Sequence, residues 1–275
     1  MPCILVVGDD PAPLKAIRAE PRLSEARIGT ALGEADVLHT LRTCPADVVI
    51  TDARTPVSSD LVLLNELRLV RPGVRMISIA PATSQDDVVA ALRGGVFACF
   101  SAPADPAELA LMTWHAIQEE DWRHGIEVLS AKPDWLSLRV SCRLVNAERL
   151  VRFMTEHRSD LPDAEKSDVM AAFRELILNA IEHGAGFDPE KVVEVSAIRT
   201  SRTIVYYFRD PGRGFDAAAL AHAARKDTDP LTHVAVRADQ GQRPGGFGML
   251  LASRLVDELL YSERGNEVIL IKHTQ

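Results

Sequence analysis

Short, continuously apolar runs alternate with amphipathic stretches through the first half of the chain. Cys3–Val7 is apolar throughout and stops at Gly8, and Ala46–Thr51, Val74–Ala80 and the shorter Val96–Ser101 repeat the pattern. Runs of this kind predict strands buried on both faces, as in a parallel sheet. Arg27–Ala31 is a weaker strand, placed beside the first. Between the strands, Leu14–Glu20, Glu34–Arg42, Leu61–Val70 and Gln85–Arg93 carry helical spacing. Such an alternation implies an α/β fold with a doubly wound, parallel five-stranded sheet. Asp105–Glu127 reads as one closing helix, with Pro106 in its first turn, where a missing N–H costs little.

The pattern breaks at Lys132-Pro133-Asp134 and then changes. Trp135–Cys142 is strand-like, Asn146–His157 and Ala164–His183 are helical, and Val192–Ile198 and Thr203–Arg209 are consecutive strands. A helical segment, Ala217–Arg225, leads into a polar stretch, Lys226–Pro244. Gly246–Glu258 is helical, and Leu259–Ser262 with Glu267–Lys272 forms a hairpin around Gly265-Asn266. Mixed strands with long helices imply an α/β sandwich, one sheet with helices on one face. The expected domains are therefore 1–128 and 135–275, joined by a linker at 129–134.

Composition narrows the class. A chain of 275 residues, 47% apolar and 25% charged, suits two soluble domains. It has no apolar run long enough for a membrane helix and no signal-peptide pattern, so a cytoplasmic protein is expected. Cys3, Cys44, Cys99 and Cys142 lie far apart with no C-x-x-C pair, which argues for buried thiols rather than a zinc site. The net charge of −8 is uneven. Residues 1–130 hold 11 Lys and Arg against 18 Asp and Glu, and residues 131–275 hold 20 against 21. An acidic first half argues against binding a phosphate backbone and suits a metal ion or a basic protein partner.

Three segments of the second half carry candidate chemistry. Glu175, Asn179 and His183 are spaced by four and share one helical side, opposite Phe173, Ile177, Ala180 and Ile181. An Asn oxygen is a hard ligand for Mg²⁺, and a carboxylate one turn away can accept a proton. Asp210 follows a strand and enters the turn Asp210-Pro211-Gly212-Arg213-Gly214-Phe215, where its carboxylate can accept from an amino group such as adenine's. Gly245-Gly246-Phe247-Gly248 opens a helix, and N–H groups at a helix start attract phosphate. Taken singly, a solvated polar face, a common turn and a helix-entry loop account for them equally well.

Together, in that order and spacing, they resemble the GHKL ATPases, and more closely the anti-sigma-factor serine kinases of bacterial partner-switching systems, over residues 135–275. The resemblance implies ATP and Mg²⁺ as cofactors, Asn179 as metal ligand and Glu175 as the base that activates an attacking hydroxyl. It further implies Asp210 as adenine reader, Gly212, Gly214, Gly246 and Gly248 as walls of the nucleotide site, Lys226–Pro244 as a lid, Arg243 as a phosphate contact and a packing role for His183. Sensor histidine kinases share the fold but carry a substrate histidine on a helical hairpin. No such hairpin is evident here, and His115 and His124 lack the expected acidic surroundings.

In the first half, Asp9 and Asp10 close one strand and Asp52 another, and strand ends in a parallel sheet converge on one crevice. Three carboxylates there could hold Mg²⁺ and offer one oxygen to a phosphoryl group, while helix capping explains Asp9-Asp10 as well. The pattern Gly8-Asp9-Asp10, Asp52-Ala53-Arg54-Thr55-Pro56, Gly95 and Ala102-Pro103 resembles the response-regulator receiver domain, which implies Asp52 as phospho-acceptor and an upstream histidine kinase. Ala80 stands where that family has Thr or Ser, Ala102 where it has Lys, and Cys99 replaces an aromatic. A phosphorylatable receiver and a degenerate one serving for docking or dimerisation both remain open. The resulting expectation is a signalling regulator: an ATP-dependent serine/threonine kinase acting on an anti-sigma antagonist. The alternative is a non-catalytic ATP-binding regulator that sequesters a sigma factor. Leu109, Met112, Ala116 and Ile117 offer a homodimer face, or a face buried within the first domain.

Overall fold

The computed structural model describes residues 1–43, 45–119, 122–158, 160–214 and 248–274. Cys44, the expected helix Ala217–Arg225, the stretch Lys226–Pro244 and the residues Gly245 and Gly246 lie outside the described residues. The chain folds into two compact units. The first is Met1–Arg123 with Arg152–Ser159, and the second is His124–Val151 with Asp160–Gln275.

In the first unit, β1 (Cys3–Val7), β2 (Arg27–Ala31), β3 (Val48–Thr51), β4 (Arg75–Ala80) and β5 (Ala98–Ser101) form a parallel sheet in the order 2-1-3-4-5. The expected strands all form, the weak one beside β1 included. Ile4, Leu5, Val49, Ile50, Met76, Ile77 and Ala98 are fully buried, as strands covered on both faces require. Helices α1 (Pro11–Ala19), α2 (Glu34–Thr43), α3 (Val57–Val70), α4 (Gln85–Gly94) and α5 (Pro106–Gln118) fill the crossovers. This strand order is that of the flavodoxin- and CheY-like doubly wound fold, whose chemistry sits at the β1/β3 ends.

Helix α5 ends at Gln118, not at Glu127 as the sequence suggested. Glu119, Glu120 and Asp121 follow at once, and acidic residues at a helix C-terminus oppose its dipole. The chain then enters β6 (Ile126–Lys132), which pairs antiparallel with β7 (Trp135–Ser141). Lys132-Pro133-Asp134 is therefore the connection within a hairpin rather than a linker. Leu109, Met112 and Ala116 are buried, so the face considered for dimerisation is consumed inside the fold.

The second unit holds a six-stranded antiparallel sheet in the order β10-β11-β9-β8-β7-β6, with β8 (Val192–Arg199), β9 (Thr203–Arg209), β10 (Glu258–Tyr261) and β11 (Glu267–His273). Its strands alternate, so Leu136, Leu138, Val140, Val193, Val195, Ile204, Tyr206, Phe208 and Leu270 turn to one buried face. Its helices are α7 (Asp163–Asn179) and α8 (Gly248–Leu255), with the start of α6 (Leu144–His157), which from Arg152 on belongs to the first unit. Phe173 of α7 packs edge-on against Tyr206, with ring centroids 4.9 Å apart, and meets Phe208 at the same distance.

Cys3, Cys99 and Cys142 are buried and in no disulfide, as expected. Burial pushes the Cys99 thiol up to about 12 and the Cys142 thiol up to about 11. Among the described residues no helix is long and apolar enough to cross a membrane.

Candidate nucleotide site and acidic crevice

Helix α7 begins after Pro162 with Asp163 and Glu165 in its first turn, where acids favour the helix dipole. Val169, Phe173, Leu176 and Ile177 anchor it to the core, which fixes the rotation that leaves Glu175 and Asn179 half-buried on the other side. Past Asn179 the backbone widens into a π turn, Ala180–Ala185, closed by Gly186 in the left-handed conformation. Such turns gather at functional sites because they re-aim the residues that follow. The four-residue stacking therefore ends at Asn179. His183 is exposed, which corrects the packing role expected for it.

The π turn places Gly184 under Asp210. A Cβ on Gly184 would stand 2.4 Å from the Asp210 carboxyl carbon, so only a bare Cα admits this approach. Asp210 is anchored twice to Asn266: its N–H donates to the Asn266 carbonyl at 3.0 Å, and the Asn266 amide donates back to the Asp210 carbonyl at 3.4 Å. The Gly212 N–H donates to Asp210 Oδ1 at 2.8 Å. Burial raises the Asp210 carboxyl above its ordinary range, and the Gly212 bond partly offsets this. Gly214 completes the turn with φ +77°.

Helix α8 starts against the acid–amide edge. A Cβ on Gly248 would lie 2.4 Å from Glu175 Oε2 and 3.7 Å from Asn179 Nδ2. The structure thus brings Glu175, Asn179 and Gly248 together. It sets Asp210, Gly212 and Gly184 one helical turn further along. Gly246 and Arg243 lie outside the described residues. Gly184 and Asn266 were not singled out by the sequence as site-builders. Their spacing carries no chemistry until the π turn and the final hairpin are formed.

In the first unit Asp9 and Asp10 follow β1, and Asp52 follows β3 and is 4% exposed. The Asp9 N–H donates to Asp52 Oδ2 at 3.1 Å, and the Asp10 N–H reaches the same oxygen at 3.5 Å. Asp10 caps α1, its Oδ1 accepting from the Ala12 N–H at 2.9 Å. Arg54 ties the other two carboxylates together: its Nε lies 2.9 Å from Asp52 Oδ2 and its Nη1 lies 3.0 Å from Asp9 Oδ2. Among the described residues no group of three or more His, Cys, Asp or Glu is arranged to hold a metal ion. Behind Asp52, Asp60 is 2% exposed and accepts from Thr51 Oγ1 at 2.7 Å, Thr55 Oγ1 at 2.8 Å and Ser78 Oγ at 2.5 Å. Burial pushes its carboxyl up against the pull of these three hydroxyls. Nothing in the apolar pattern of α3 singled it out.

Comparison with known proteins bears on the second unit. The family described as histidine kinase-like ATPase domain matches residues 140–272. The anti-sigma F factor of Anoxybacillus flavithermus (strain DSM 21510 / WK1) is 30% identical over 112 residues, spanning 40% of this chain and 70% of that protein. The chain belongs to the histidine kinase-like ATPase family. The matched span contains Glu175, Asn179, Asp210, Gly212, Gly214 and Gly248. Family membership implies that the domain binds ATP. The residues fit such a group: a half-buried carboxylate set on a bare glycine can accept from a base, and a helix start beside Glu175 and Asn179 can face phosphate.

Solved structures similar to the first unit include a CheY-like response regulator receiver domain protein from Methanospirillum hungatei JF-1. It is 21% identical with a TM-score of 0.38, covering 44% of this chain and 97% of that one. A response regulator from Thermotoga maritima is 17% identical with a TM-score of 0.39, covering 43% and 99%. The doubly wound fold of the unit is shown by its own strand order.

Proposed function

We propose that the chain is a cytoplasmic signalling regulator whose second unit is an ATP-dependent protein serine/threonine kinase of the anti-sigma type. The observation that carries this reading is the closure of α8, at Gly248, onto the Glu175–Asn179 edge, with Asp210 seated on Gly184 beyond it. Asp210 would accept from the adenine amino group, with Gly212 and Gly214 giving the base a close wall. Asn179 would supply an oxygen to Mg²⁺, and the N–H groups entering α8, with Gly246 and Gly248, would face the phosphates. ATP, when bound, supplies the phosphoryl group. Glu175 would take the proton from the hydroxyl of a partner's serine or threonine. Catalysis of this kind is chiefly positioning and electrostatic stabilisation. The relative's name supports an anti-sigma antagonist or a sigma factor as the partner.

The test is ATP-dependent phosphorylation of candidate antagonist proteins and sigma factors from the same genome, followed by intact mass. A partner gains one phosphoryl group on serine or threonine. Glu175→Ala slows this by about a hundredfold or more, the usual contribution of a general base, while still binding ATP. Equal rates for Glu175→Ala and wild type would remove Glu175 from the chemistry. ATP binding without any phosphorylated partner would leave a sequestering module.

A further inference from the structure

The acidic crevice of the first unit is occupied by one of the chain's own side chains. We propose that the Arg54 guanidinium is the resident cation of this crevice, and that the site takes no divalent metal while Arg54 is in place. Three observations converge on this. One guanidinium spans both Asp9 and Asp52, at 3.0 and 2.9 Å. The third carboxylate, Asp10, is committed to the first turn of α1. Both oxygens of Asp52 already accept hydrogen bonds: Oδ2 from Arg54 Nε and the Asp9 N–H, and Oδ1 from the Arg54 N–H at 3.3 Å.

A magnesium ion needs oxygens at about 2.0–2.1 Å in a near-octahedral set. Of the oxygens that would supply them, Arg54 engages Asp9 Oδ2 and Asp52 Oδ2, and the α1 cap engages Asp10 Oδ1. The guanidinium sits where a metal-dependent phospho-acceptor site would need its cation, with its Nε on Asp52 Oδ2. Metal-dependent phosphorylation of Asp52 would require Arg54 to swing out. Arg54 is half-exposed, so its removal leaves the core untouched. The inference stands independently of the kinase reading, because the groups belong to the other unit.

The experiment is a Mn²⁺ titration of the full-length, nucleotide-free protein, followed by the electron paramagnetic resonance signal of the free ion. Wild type and Arg54→Lys bind no Mn²⁺ in the submillimolar range. Arg54→Ala gains one ion per chain, at least about tenfold tighter than wild type, and adding Asp52→Asn to that variant abolishes the gain. Arg54→Gln serves in its place if circular dichroism shows Arg54→Ala unfolded. One Mn²⁺ bound by wild type and lost in Asp52→Asn would overturn the proposal. So would a folded Arg54→Ala or Arg54→Gln that gains none.

Discussion

Asp210 owes its position to Gly184 as much as to its own strand. Its backbone is held on both sides by Asn266, so the carboxylate cannot retreat from an added methyl group. Gly184→Ala is therefore expected to displace that carboxylate and weaken ATP binding about tenfold or more, read by calorimetric titration. Gly186→Ala is the control. A Cβ there meets nothing within 4 Å, though the positive φ strains it, so it should cost stability and spare affinity. At this scale the sequence named Glu175, Asn179 and Asp210 because acid, amide and glycine spacings have direct chemical meaning. It did not show Arg54 bridging Asp9 and Asp52, because a long side chain's destination depends on which loops face it. Asp60 was equally hidden, since its three hydroxyl partners come from two strands and a loop.

Elements were legible where local signals agreed with tertiary demand. Helix α4 is the clearest case. Ser84 and Asp87 form a reciprocal capping box, and Gly95 ends the helix with φ +68°. Ser84→Ala should lower the stability of the first unit by about 1 kcal/mol, seen as a lower urea midpoint at unchanged slope. The region after α5 shows the opposite. Ile126–Lys132 becomes a strand by pairing with β7, so reading the helix on to Glu127 and a linker at 129–134 followed local pattern where a distant partner decided. The π turn at Ala180–Ala185 was likewise invisible, because a pattern built on 3.6 residues per turn continues smoothly through it.

For the molecule as a whole, two separately cored units predict two unfolding transitions by scanning calorimetry, rather than one. Saturating ATP should raise only the transition of the second unit, by about 2.7 kcal/mol of added stability at a hundred times the dissociation constant. A single transition that moves bodily with ATP would show the chain melting as one. The parallel order of the first sheet was readable from its alternation of strands and helices. The order of the second sheet was not, because antiparallel neighbours are fixed by pairing rather than by connection length.

The thiols described above add a further property. Cys99 lies on β5 of one unit and Cys142 follows β7 in the other, both shut away from solvent and held in the protonated form. Peroxide and alkylating reagents act on thiolates, so neither sulfur is open to attack while its surroundings stay closed. Each becomes reactive only as its own sheet comes apart, and oxidation of these two thiols thus follows thermal breathing rather than exposure of the native surface.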